Sequence, residues 1–391
     1  MFLEHKRMKS NSLFANPHRL IILSSGLIIL LLFAFLQPNL TLAAIKKGEQ
    51  GNVSLYYFST RTPPNPQNIG EQHNWFGNDT YLDINQLTKT PCQNETNRIV
   101  AIFVHGWEKS EEIVKERLNR VKQSLEKDNF SGQLVGFSWP SDTDWPSAKS
   151  IAKANGPKLA NLIFELKSSC PKADIRIIAH SLGARVVLSS LDSLLMNKTW
   201  NDRNFKISSV HLVGAAVDNE EVSTKPEDIL IDATNLGTPK SDYGQAIGKE
   251  IIKFYNLFSS KDNLLEPNPG DSYPIIYPLA ESDFALGQSG YQKIPYSIKL
   301  NLPTNYNETN VTDQLVANCD ADGDNHPDYP FSSGNIITSG DNHRGYLGYR
   351  DNGTKSITND GAIDVVVKSW NIKPTNVNVN LNPVCPNSST Q

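Results

Sequence analysis

The chain has 391 residues, of which 38% are apolar and 20% charged, and its formal net charge is -4. A chain of this length and composition folds as one large domain or two ordinary ones, which excludes a wholly disordered protein. These charges do not give a strongly basic surface, so nucleic acid is not an expected partner.

Residues 1–45 have the pattern of a segment that takes a protein across a membrane. Positive charges in residues 1–19 precede the apolar run LIILSSGLIILLLFAFL at residues 20–36. Cleavage at Ala43 or Ala44 would make this an export signal, whereas the length of the run also permits an uncleaved membrane anchor. Both alternatives predict a secreted or membrane-anchored protein whose later residues lie outside the cytoplasm.

Cysteine spacing and asparagine motifs agree with an extracellular location. The cysteines show no Cys-x-x-Cys spacing that would indicate a metal or redox site, and they allow either two disulfides or four buried thiols. They are Cys92, Cys170, Cys319 and Cys385. Asn-x-Ser/Thr acceptors are frequent and favour a glycoprotein, given a host with that chemistry. They are Asn52, Asn78, Asn94, Asn129, Asn197, Asn307, Asn310, Asn352 and Asn387.

Strand and helix patterns alternate from residue 98 onward. Before that point the chain is polar, with short strands predicted in VSLYYFST and TYLDI. The run RIVAIFVHG (98–106) is typical of a strand buried on both faces. Helical spacing of apolar residues then predicts a helix over 110–127, with four apolar residues on one face. They are Val114, Leu118, Val121 and Leu125.

The alternation continues to about residue 259. Residues 146–170 are predicted to form one helix, or two pieces broken near Gly156 and Pro157. The other predicted segments are strand 133–139, strand 174–180, helix 181–195, strand SSVHLVGAAV and strand KEIIKFYNLFS. This order predicts an α/β fold with a mostly parallel central sheet and helices on both faces.

The predicted organisation has four parts. Residues 1–45 are the export signal or anchor, and residues 46–284 form the core. Residues 285–340, rich in Asn, Asp, Pro and Gly, form an irregular insertion. Residues 341–391 complete the core with a last helix in DGAIDVVVKSWNIK and end in a polar tail.

A serine lies where a buried strand must turn into a helix, in Ala179-His180-Ser181-Leu182-Gly183. This is a small-x-Ser-x-Gly pattern, which holds a nucleophile in a strained turn between small neighbours. A helix-capping serine is the alternative. For a nucleophile, the N–H of Leu182 would be one oxyanion donor, and the N–H of Trp107, after His105-Gly106, the second.

A nucleophilic serine needs a base and an orienting acid, which follow it in the order acid, then histidine. Of the histidines beyond Ser181, His211 lies within a strand and His326 within the insertion, whereas His343 lies in a polar loop before the last helix. His343 is therefore the predicted base. Asp262 is the favoured acid because it follows the predicted strand KEIIKFYNLFS. Asp218, which follows the predicted strand SSVHLVGAAV, is the competitor.

Five stretches together, HGW, GFSWPS, AHSLGARVV, SSKDNLL and DNHRGYLG, resemble the alpha/beta-hydrolase superfamily. They are most similar to a branch of prokaryotic hydrolases of unassigned substrate. The resemblance covers residues 98–265 and extends to the His343 loop. It implies Ser181 as nucleophile, His343 as base and Asp262 as acid, with Trp107 and Leu182 at the oxyanion positions. Ala179, where glycine is commoner, is a departure still small enough for the turn.

A second possible site lies in CDADGDNHPD (319–328), where alternating carboxylates could surround calcium. Its ligands would be Asp320, Asp322, Asp324 and Asp328. An acidic solvated loop is the alternative, and the predicted role of calcium is structural.

The sequence thus predicts an exported serine hydrolase that acts on a small-molecule or lipid ester through an acyl-enzyme and requires no cofactor. The alternative is a non-catalytic, glycosylated cell-surface binding protein that keeps the same fold. Membrane contact is expected only through an uncleaved N-terminal segment.

Overall fold

The described part of the chain lies within one compact unit, Gln50–Gln391. The computed structural model describes residues 51–61, 74–76, 80–81, 98–107, 110–225, 242–260, 262, 264–265, 285–291, 301–315, 342–350, 357–359 and 361–372. The predicted signal or anchor lies outside these residues. Within them, no helix has both the length and the apolar character needed to cross a membrane.

The described residues contain a central sheet of nine strands in the order β3-β2-β1-β5-β4-β6-β7-β8-β9. Every neighbouring pair from β1 to β9 is parallel, and β2 and β3 add an antiparallel edge beside β1. This confirms the mostly parallel sheet that the sequence predicts. The strands are β1 Val53–Ser59, β2 Asn74–Phe76, β3 Thr80–Tyr81, β4 Ile99–Val104, β5 Gly132–Ser138, β6 Asp174–His180, β7 Ile207–Val213, β8 Ile251–Phe258 and β9 Tyr306–Asn310.

Helices cover both faces of this sheet. One face carries α2, α3 and α5, and the other carries α1 and α8. The helices are α1 Glu111–Lys127, α2 Trp145–Ser169, α3 Gly183–Leu195, α4 Lys198–Asp202, α5 Gly244–Glu250, α6 Leu286–Ser289, α7 Thr312–Leu315 and α8 Ile363–Ser369. Two 3-10 helices, Asn219–Val222 and Asn342–Leu347, and a small ladder of β10 Tyr349–Arg350 with β11 Ile357–Asn359 complete the described elements.

The layers explain why β4 is a continuous apolar run. Side chains alternate along a strand, so Ile102 and Val104 pack into the core beneath α2 and α3, whereas Ala101 and Phe103 pack beneath α1. The predicted face of α1 is likewise confirmed as buried. Each fully buried side chain of this size contributes roughly 1.5–3 kcal/mol to folding.

Helix α2 runs unbroken through Gly156 and Pro157, which settles the alternative left open by the sequence. Proline lacks the N–H that would bond the carbonyl of Lys153, four residues earlier. The hydroxyl of Ser189, on α3, donates to that carbonyl at 2.8 Å. Gly156 makes the approach possible, since a Cβ there would lie 2.4 Å from Ser189 Oγ.

Strands β2 and β9 were not predicted from the sequence. Strand β9 lies inside the segment predicted as an irregular insertion, and its sequence YNETN has no apolar run. It pairs with β8 as an edge strand, and the exposed side chains of Asn307 and Asn310 suit an edge open to water. Strand β1 was predicted, and it pairs in parallel with β5.

His211 is a buried histidine of β7 that should make stability depend on pH. Its ring stacks on Tyr255 with centroids 4.6 Å apart, and Nε2 lies 2.6 Å from Ser369 Oγ. Burial lowers the pKa of His211 from 6.5 to about 3. Between these values the unfolded chain binds a proton that the folded chain does not, so stability is lost as pH falls below 6.5.

We therefore expect His211→Phe, which keeps an aromatic ring beside Tyr255, to weaken this pH dependence. The slope of unfolding free energy against pH between 4 and 6 should decrease by up to about 1.4 kcal/mol per pH unit, the value for one proton. Urea unfolding at several pH values measures it. Parallel wild-type and variant curves would contradict the assignment.

Candidate active site

Ser181 occupies a left-handed turn between β6 and α3. Its φ is 54°, a conformation that costs a non-glycine residue free energy and is retained where the surroundings enforce it. Its N–H donates to Val213 O at 3.1 Å, and Ala216 N–H donates to Ser181 O at 3.2 Å. The two bonds tie both sides of the turn to the end of β7.

Two glycines allow neighbouring chain segments to reach this turn. A Cβ at Gly183 would lie 2.5 Å from the carbonyl oxygens of Val104 and His105, so glycine is required for α3 to begin against the end of β4. A Cβ at Gly106 would lie 2.6 Å from Cβ and 3.1 Å from Oγ of Ser181. The loop after β4 is therefore in direct contact with the serine.

His105 fixes that loop in a neutral form. Trp139 N–H donates to His105 Nε2 at 3.1 Å, so the proton is on Nδ1, which donates to Gly106 O at 2.7 Å. Burial, helped by the charge of Arg61, lowers the pKa of His105 from 6.5 to about 3. His105 thus has a structural role, in which both ring nitrogens bond the backbone at the end of β4 and β5.

The predicted oxyanion donors are the backbone amides of Trp107 and Leu182. Because a peptide group is planar and trans, the N–H of Trp107 points opposite to the Gly106 carbonyl that His105 holds. Among the described residues, neither amide donates a hydrogen bond to the protein. Leu182 directly precedes α3, whose N-terminus favours negative charge.

Asp262 and His343 form a buried pair. Asp262 Oδ2 lies 2.7 Å from His343 Nδ1, and the side chains are 0% and 3% exposed. The turn after β8 holds the acid, with Asp262 N–H donating to Ser259 O at 3.0 Å. The base belongs to the 3-10 helix Asn342–Leu347. Asp218, the competing acid, instead directly precedes the 3-10 helix Asn219–Val222, and its backbone pairs with Ala285.

Two aromatic residues pack around His343. His180 Nε2 lies 2.8 Å from His343 O, and since a carbonyl can only accept, this nitrogen carries the proton. The rings of His180 and His343 are 4.8 Å apart. Tyr346 packs edge-on to His343 and donates to Gly287 O at 3.1 Å. Burial and the neighbouring Asp262 carboxylate raise the pKa of Tyr346 well above its usual value, so its hydroxyl stays protonated.

The residue before the serine therefore holds the loop of the predicted base, which sequence reasoning missed. The only available signal was the presence of His180 within the Ser181 pattern. Ser181 Oγ is not hydrogen-bonded to the His343 ring. Contacts between nucleophile and base are often long until substrate binds.

The predicted calcium ligands Asp320, Asp322, Asp324 and Asp328 lie outside the described residues. Within the described part, no cluster of His, Cys, Asp and Glu side chains has the arrangement of a metal site.

Comparison with known families agrees with the geometry of the turn and the order of the strands. A family model described as "Alpha/beta hydrolase of unknown function (DUF900)" matches residues 84–266, which contain Ser181 and Asp262. Residues 84–266 thus match an alpha/beta-hydrolase family, in agreement with the mostly parallel sheet. His343 lies beyond the matched residues.

The individual proteins similar to this chain are distant. An uncharacterized protein of Nostoc sp. is 35% identical over 80 residues, which are 19% of this chain and 21% of that protein. The match thus spans only about a fifth of the curated relative's length. Lipase B of Aspergillus fumigatus is 8% identical with a TM-score of 0.30, over 56% of this chain and 45% of that one. A Trichoderma reesei cutinase is 14% identical with a TM-score of 0.24, over 53% and 83%. At these scores, neither structure indicates a substrate.

The left-handed φ of Ser181 predicts an unusual order of stability among variants at this position. Ser181→Gly should be more stable than Ser181→Ala by about 1 kcal/mol, because glycine adopts this conformation without steric cost. Ser190, buried inside α3, is the matched control, and there alanine should be more stable than glycine by a similar amount. Thermal or urea unfolding of the four variants measures both differences. The same order at both positions would contradict strain at Ser181.

Proposed function

We propose that the chain is an exported serine hydrolase that cleaves carboxylic esters through Ser181, His343 and Asp262. The observation that carries the proposal is the buried 2.7 Å bond between Asp262 Oδ2 and His343 Nδ1, docked beside a strained serine turn. If Asp262 were only a solvated surface residue, or His343 only a loop residue without a function, the two side chains would not need to be buried in contact with each other.

The proposed mechanism begins with the tautomer of His343. The Nδ1 proton is donated to Asp262, which leaves the lone pair on Nε2 to accept the proton of the Ser181 hydroxyl. The serine oxygen then attacks the ester carbonyl. His343 passes the proton to the departing alcohol, and a water activated by the same histidine releases the acid from the acyl-enzyme.

The backbone amides of Trp107 and Leu182 are the proposed donors that stabilise the negative charge developing on the carbonyl oxygen. Two features support this assignment. His105 holds the Gly106–Trp107 peptide in a fixed orientation, and Gly106 lies against the serine itself. A donor fixed before the reaction avoids reorganisation when the charge forms, and one such donor is worth about 2.7–4 kcal/mol.

A location outside the cytoplasm is supported by one covalent feature. Cys170, at the end of α2, is disulfide-bonded. Disulfides persist mainly in oxidising compartments, and reducing conditions in the cytosol make them rare there. Export, membrane anchoring, glycosylation and structural calcium remain proposals. The chemical steps themselves use only groups of this chain.

Labelling with a fluorophosphonate probe tests for an activated serine. We expect one adduct per chain on Ser181 by mass spectrometry, lost in Ser181→Ala and retained in the control Ser190→Ala. A folded protein that takes up no probe, with or without calcium, would overturn the hydrolase and favour the non-catalytic surface-binding protein.

Asparagine substitutions distinguish the two acids. Asp262→Asn should lower kcat for a p-nitrophenyl ester by roughly 10³–10⁴-fold, because an amide favours the wrong imidazole tautomer. Asp218→Asn removes a carboxylate from the same edge of the sheet and should cause a much smaller loss. The opposite order of activities would assign the acid to Asp218.

A further inference from the structure

Arg61 extends from the end of β1 at the same edge of the sheet as Ser181. Its Nε–H donates to Ser138 Oγ at 3.0 Å, and Nη2 lies 3.5 Å from Ser141 Oγ. Since Ser59 pairs with Ser138 in the ladder of β1 and β5, the guanidinium lies over the end of β5. Both serine side chains are completely buried, so the arginine is anchored at a fixed point.

Within the described part of the chain, this guanidinium has a hydrogen-bonded anchor but no direct counter-ion. Among the described residues, no carboxylate lies within ion-pair distance of it. The charge of Arg61 acts on the exposed Glu112 carboxylate and on Tyr57, which hydrogen-bonds Ser138 and Glu111, without a direct ion pair to either acid. A partly buried arginine without a carboxylate loses hydration that nothing in direct contact replaces. Arginine presents five N–H donors in a fork that matches carboxylate and phosphate. With Nε–H on Ser138 and one N–H of Nη2 on Ser141, the described contacts leave Nη1 and the second N–H of Nη2 for a ligand.

The position of Arg61 in the sheet gives the approximate distance between its guanidinium and the proposed nucleophile, Ser181. Strands β5, β4 and β6 are neighbours in the sheet, so the end of β5 is two strand spacings from Ser181. At about 4.8 Å per spacing, the guanidinium lies on the order of 10 Å from the serine. The effect of Arg61 on His105 shows that its positive potential reaches the loop beside Ser181. In open parallel sheets, ligands bind at this carboxyl edge.

We propose that Arg61 binds an anionic group of the substrate, a carboxylate or a phosphate, held on the order of 10 Å from the scissile ester carbonyl. The inference rests on the proposed esterase function and specifies its substrate class. Arg61 is a specificity-determining residue in this proposal, and it takes no part in the proton transfers.

Two matched pairs of esters test the proposal, and each pair differs only in one terminal charge. The mono-p-nitrophenyl ester of suberic acid is compared with p-nitrophenyl octanoate, which places the charge on the acyl side. The butyrate ester of 8-hydroxyoctanoate is compared with octyl butyrate, which places it on the alcohol side. The values of kcat/KM are measured for the wild type, Arg61→Gln and Arg61→Lys. Arg203→Gln is the control that removes an equal charge just before β7, at the opposite edge of the sheet.

The wild type should prefer the anionic member of one pair by about tenfold, the ratio that 1.4 kcal/mol of binding gives. Arg61→Gln should lose this preference while keeping its activity on the neutral ester. Arg61→Lys should keep part of it, and Arg203→Gln all of it. In the wild type alone, added salt should reduce the preference.

Two outcomes would overturn the inference: hydrolysis of both pairs without discrimination, or a preference that survives in Arg61→Gln with an unchanged melting temperature. Failure to hydrolyse any ester, together with no fluorophosphonate adduct, would instead overturn the proposed function. The two failures are therefore distinguishable.

Discussion

The close approach of backbone at the Ser181 turn is the constraint on which the rest of the site depends. Gly183 lies against the carbonyl oxygens at the end of β4, and Gly106 lies against the serine side chain. No side-chain rotation could relieve a Cβ at Gly183, because its neighbours are backbone atoms. Once these contacts exist, the hydrogen bonds to Val213 and Ala216 hold the left-handed serine, and the loops of Trp107 and His343 have a fixed surface to pack on.

Sequence reasoning succeeded where one physical effect decided the outcome. Apolar runs placed β4 and β6, and helical spacing placed the buried face of α1. It failed, or left alternatives open, where the local structure depends on contacts with residues distant in sequence. The polar strand β9 exists because β8 offers an unpaired edge. Likewise, α2 continues past Pro157 because Ser189 satisfies the freed carbonyl, and a single segment contains no sign of that partner.

In the candidate site too, local patterns predicted some features and contacts between distant residues determined the others. The pattern around Ser181 predicted the nucleophile, and the exclusion of His211 and His326 left His343 as the predicted base. The structure places Asp262 against His343. Their catalytic roles remain predictions. The contact from His180 to the His343 backbone, and the lack of a carboxylate beside Arg61 among the described residues, could not be read from sequence. Each depends on the order of strands across the sheet, which local patterns do not encode.

The bond between Ser189 and the carbonyl left free by Pro157 also limits how this molecule can move. Sliding α2 along α3 by one turn would bury that carbonyl without a donor and drive Gly156 away from the one residue it fits. These two contacts therefore favour one alignment of α2 along α3. Helix α3 begins at Gly183, two residues after Ser181, and α2 begins at Trp145, whose ring contacts Trp107. Any displacement of α2 along α3 would therefore also shift the residues on both sides of Ser181.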